Sequence, residues 1–87
     1  MIEEILGQSY TIREDLTLGE LSDIQDASLT VDPKTGIPVM QSKTLRAKLI
    51  ASCVEGMAEE KAVKLPAAVG MRLYLAVQRA NKIPLFD

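Results

Sequence analysis

Apolar residues recur along this chain with two different periods. Near the start, Tyr10 and Ile12 alternate with Thr11 and Arg13, the spacing of a strand with one covered face. Ile2 and Ile5 precede them, and Gly7 lies between the two groups. A Gly7-Gln8 pair suits a tight II′ turn, because glycine tolerates positive φ. The pattern predicts a β-hairpin over about 2–13, with a single helical turn through Ile2, Ile5 and Leu6 as the alternative.

The period then lengthens. Leu18, Leu21, Ile24 and Ser28 fall on one helical side, and Glu20, Asp23 and Asp26 on another. Thr17, three residues before Glu20, forms a capping box signature. A helix is predicted over about 18–29. A second, over about 42–57, opens at Ser42 as N-cap. Its stripe is Leu45, Leu49, Cys53 and Met57, widened by Ala47, Ile50 and Val54 and interrupted by Arg46. At about 100° per residue the apolar arc covers half the circumference or more, so this helix must touch more than one neighbour.

A third helix is predicted over about 66–81. Pro66 suits its first position, and Asn81 with Pro84 stops it. Val69, Leu73, Ala76, Val77 and Ala80 form its core face. Met71 and Leu75 form a second stripe, between Arg72, Gln78 and Arg79, that a one-sided helix does not require.

The connections differ in character. "VDPKTGIPVM" is turn chemistry, since proline presets φ and Gly36 supplies a left-handed position. An exposed loop is expected over 30–41. "AEEKAVKL" resets the chain, with Ala62-Val63-Lys64 as a short extended segment. Ile83, Leu85 and Phe86 crowd the last residues, where large apolar side chains usually dock. The expected fold is mainly α: one domain over 1–87, three helices and a short N-terminal hairpin.

Composition narrows the function. Only Tyr10, Tyr74 and Phe86 are aromatic, so the core is aliphatic. There is no histidine and a single cysteine, Cys53. The commonest general base and metal ligand is therefore missing, and no internal disulfide can form. No cofactor or metal is expected. A chain of 87 residues buries a modest core, which leaves oligomerisation as the route to added stability. The net charge of −2 argues against binding a phosphate backbone. No apolar run approaches a membrane span. Glu3 and Glu4 stand where a signal peptide would be basic, so a soluble protein of the cytoplasm is expected.

The candidate motifs do not add up to a catalytic centre. Lys34-Thr35-Gly36 reverses the phosphate-loop order, and Leu29 occupies the place of the second glycine. Asp32 lacks the alternating ligands of a calcium loop. Cys53 lies mid-helix in an apolar stripe, not beside the cations that activate a thiol. Ser28 sits at a helix end with Ala27 before it, unlike the Asp-Ser-Leu of acyl carrier proteins. Arg46, Lys48, Arg72, Arg79 and Lys82 make an ordinary solvated face, without the aromatic platforms of a nucleic-acid binder. What remains is apolar surface. Met71, Leu75, Ile50, Val54, Met57, Leu85 and Phe86 are the candidates for contact with a partner or a second copy.

One resemblance gives that surface a use. "ILGQSYTIREDLTLGELSDIQDAS" resembles the opening of small tail assembly chaperones of long-tailed bacteriophages, with a glycine at the hairpin turn and "LTLGEL" entering a first helix. "LRAKLIASCVEG", "VKLPAAVGMRLYLAV" and "NKIP" resemble their later helices. The resemblance implies a non-enzymatic protein of the infected host's cytoplasm. Such a protein self-associates, binds the long helical tape measure protein or another tail protein while the tube grows, and is absent from the finished virion. A small structural virion component (a connector or tail subunit) and a helical regulatory domain are the alternatives.

Overall fold

A computed structural model describes residues 1–83. The expectation of a mainly α, three-helix domain is overturned. Among the described residues the chain is an α+β domain with four helices and two separate two-stranded antiparallel sheets. Leu85 and Phe86, and the stop expected of Pro84, lie outside the described residues.

The first hairpin pairs β1 (Ile2–Ile5) with β2 (Gln8–Thr11). Ile2 faces Thr11, and Ile5 faces Gln8, so the turn is Leu6-Gly7, one residue earlier than the sequence suggests. Both turn residues have positive φ, +49° at Leu6 and +79° at Gly7. That is the I′ geometry, whose twist matches the flanking strands. The hairpin is tied down beyond its end. Ile12 is buried and bridges Val54, while Arg13 N–H donates to the Cys53 carbonyl and Glu55 N–H to that of Thr11.

Helix α1 (Leu18–Ala27) carries the full capping box, with Thr17 and Glu20 each accepting from the other's backbone. Leu18 is 79% exposed and takes no part in the core. Ile24 and Ser28 are buried, and the Ser28 hydroxyl donates to the Ile24 carbonyl.

Glu20 is also the partner of Arg13, whose guanidinium reaches both carboxylate oxygens and also Asp15. The Arg13 hydrogen bonds lead the causes that hold the Glu20 carboxyl down at about 2, against an ordinary 4.5. A depressed folded value contributes stability above the unfolded value, and that contribution is lost as pH falls through the folded one. Thermal melts should therefore show a contribution from Glu20 above pH 4.5 that fades toward pH 2. Glu20→Gln should remove that part of the acid slope. An unchanged slope in the variant counts against the pairing.

The stretch expected to be a loop is a second hairpin. β3 (Leu29–Val31) pairs with β4 (Pro38–Met40), joined by the Asp32–Gly36 turn. Asp32 Oδ1 accepts from Lys34 N–H, and Gly36 adopts φ +70°. Proline argues against a strand only where its missing N–H is needed, and Pro38 sits where the ladder points outward.

Helix α2 (Ser42–Cys53) is the hub, packed against α1 on one side and against α3 (Glu59–Val63) and α4 (Ala67–Ala80) on the other. It ends four residues before the expected 57. Its N-cap is Gln41, not Ser42, and makes no side-chain cap. Val54 is extended and Gly56 turns at φ +74°. The extended segment expected at 62–64 is the end of α3 and its C-cap. Leu49, Leu73, Ala76 and Val77 are wholly buried at the centre.

Asn81 closes the structure. It caps α4 by donating to the Val77 carbonyl, donates to the Arg13 carbonyl, and accepts from Leu16 N–H. One amide thus joins the end of the last helix to the segment before the first.

Candidate interaction surface

The wide apolar arc of α2 is mostly consumed by the chain's own core. Ile50 and Val54 are 3% exposed and Met57 8%, so these three contact candidates are interior residues. Helix α3 explains much of it. Its Ala62 is buried, and it covers the flank of α2 that a three-helix reading leaves open.

Met71 and Leu75 are different. They stand on the outer side of α4, 44% and 42% exposed. Met71 also borders an apolar groove of about 370 Å³ between α2, α3 and α4. Ala47, Ile50, Ala62 and Leu65 contribute to its lining, with half-exposed Val63 among them. Gly70 keeps the α4 wall low.

Lys43 and Arg46 line the α2 side of this groove and make no ion pair among the described residues. Arg46 lies over the Tyr74 ring, 5.7 Å from its centroid, a cation–π distance. Burial pushes the Tyr74 hydroxyl up, against the opposing pull of Arg46. The groove therefore combines an apolar floor, a methionine able to repack, and positive charge along one wall. No serine, threonine or cysteine lines it among the described residues. Such a surface can hold an amphipathic helix through its apolar stripe and its carboxylates.

A larger hollow of about 720 Å³ lies where β2 meets the end of α2, lined by residues 11–13 and 51–58. Its most reactive group is the Cys53 thiol, which is 2% exposed and which burial pushes up in pKa, so it is protonated at neutral pH. No three His, Cys, Asp or Glu side chains gather into a metal cage among the described residues. No described helix is long and apolar enough to cross a membrane.

Periodicity identified Met71 and Leu75 as surplus to the core. It missed Val63, Leu65 and Lys43. Val63 and Leu65 belong to α3 and the turn after it, five to seven residues with no repeating stripe. Lys43 was hidden because a lysine at a helix start is unremarkable until a groove is seen beside it. Comparison with protein-family models, with curated proteins and with solved structures found no match.

Proposed function

We propose that this chain is a non-enzymatic assembly chaperone that holds an amphipathic helix of a long helical client, the tape measure protein of a phage tail. The observation that carries the reading is the groove between α2, α3 and α4, open beside exposed Met71 and flanked by Lys43 and Arg46, which make no ion pair among the described residues. A helix laid there would cover Val63, Met71 and Leu75, with acidic side chains toward α2. The resemblance of "ILGQSYTIREDLTLGEL" and the later helices to tail assembly chaperones supplies the client's identity. The physical argument supplies only its class, an acidic amphipathic helix.

The test is binding of purified chain to helical fragments of tape measure protein, followed by calorimetry. Met71→Asp/Leu75→Asp is expected to weaken binding at least tenfold while leaving the melting temperature of the free chain nearly unchanged, as surface changes do. Equal binding by this double variant would overturn the reading. So would a large loss of stability, which would place the pair in the core. Copies at fixed stoichiometry in purified virions would instead favour a structural tail component.

A further inference from the structure

The β3–β4 hairpin stands apart from the core. All six of its strand residues are exposed, and five large apolar side chains in or beside it show 39% to 65% of their surface. A two-stranded hairpin alone is marginal in water, and three or more strands with an apolar face are needed for independent stability.

Its two edges are not alike. Asp32 N–H donates to the Ile37 carbonyl and Gln41 N–H to that of Ser28. Antiparallel ladders alternate, so Thr30 and Val39 form the inward-bonded pair between them. The backbone groups of Leu29 and Val31 therefore point away from β4, and those of Pro38 and Met40 away from β3. On the β4 side, Pro38 has no N–H to offer. The β3 side has no proline, charge or bulge within the strand, the devices that normally close an edge.

We infer that β3 pairs antiparallel with β3 of a second copy, about a two-fold axis at Thr30, making one four-stranded sheet. The register is dictated by the groups that are free. Leu29 lies opposite Val31 of the other copy, and each pair exchanges two N–H···O=C bonds, four in all. Thr30 meets its own counterpart in the non-bonded position, a favourable cross-strand pair. Leu29, Val31, Pro38 and Met40 of both copies then share one sheet face. The outer edges of the new sheet are the two β4 strands, each blunted by Pro38, so the assembly stops at two copies. The contact is isologous, as a closed dimer requires. This inference is independent of the client groove.

Sedimentation of the full chain should show a reversible dimer. Thr30→Cys should then cross-link to itself under mild oxidation. The Cα atoms of a non-bonded antiparallel pair are about 4.5 Å apart, within disulfide range. The expected product has twice the 9.5 kDa chain mass, and it should form faster than in an Asp23→Cys control. Val31→Pro removes only an outward N–H and should weaken dimerisation at least tenfold. Val31→Lys should do the same if the proline variant folds poorly. Met71→Asp/Leu75→Asp should leave the dimer intact, which separates this contact from client binding. A chain that stays monomeric at millimolar concentration overturns the inference. So does a Thr30→Cys chain that cross-links no faster than the control, or a Val31→Lys chain that dimerises like the parent.

Discussion

Asn81→Ala is expected to destabilise the domain by about 2–3 kcal/mol, or roughly 10–20 °C in melting temperature. The asparagine serves three half-buried backbone groups at once: the Leu16 N–H and the carbonyls of Arg13 and Val77. Alanine orphans the first two, which lie 65 and 68 residues away in sequence and have no local substitute. The cost of an unpaired group exceeds the net gain of a hydrogen bond, because desolvation is not recovered. Asn81→Asp separates the two roles. Its carboxylate still accepts from Leu16 but cannot donate to Arg13. In place of the amide nitrogen an oxygen faces the carbonyls of Arg13 and Val77, so a thermal melt with both variants below the parent is the expected result. Equal melting of all three would show that the segment before α1 is held by packing alone.

Gln78→Met is expected to act in the opposite direction and stabilise the chain by about 1–3 kcal/mol. Gln78 is 1% exposed, and neither its amide nitrogen nor its oxygen has a hydrogen-bond partner among the described residues. Buried amides are normally satisfied, and one that is not carries the whole desolvation cost. Methionine matches its length and flexibility without the polar atoms. Chemical denaturation should show a higher midpoint with an unchanged slope. A lower midpoint would mean that the amide has a partner in solution and holds α4 in place.

Local signals in the sequence were the reliable ones. The Thr17–Glu20 box is complete in four residues, so nothing distant could override it. The Tyr10/Ile12 alternation likewise marks a strand because both side chains turn to the core, Ile12 buried and Tyr10 partly buried against it, while Thr11 between them is exposed. Periodicity misled where it continued by coincidence. Val54 and Met57 keep the apolar spacing of α2, yet Val54 is drawn out of the helix by its bridge to Ile12, 42 residues earlier in the chain. No local rule contains that contact. The second hairpin was obscured by Pro38, which is disfavoured in most strand positions and harmless in the one that it occupies. Leu18 shares a helical side with Leu21, Ile24 and Ser28 by spacing, yet it is 79% exposed, whereas Leu21 one turn on packs against the core.

The candidate surface was half legible for the same reason. Met71 and Leu75 could be counted as surplus on one helix. That α2's wide arc is covered by α3, and that α3 leaves a groove open beside Met71, depends on a five-residue helix with no periodic signature.

The stacking of Arg46 on Tyr74 has a practical consequence for a test of the proposed helix binding. The chain contains no tryptophan and two tyrosines. Tyr10 belongs to the first hairpin, whereas Tyr74 lies beneath the guanidinium that borders the groove. Its ultraviolet absorbance and emission are thus an intrinsic optical gauge of that wall. A helix that draws Arg46 toward its own carboxylates would change the ring's surroundings without any label. A client bearing tryptophan could be excited selectively at longer wavelength, so that the two sides of the complex are followed separately in one cuvette.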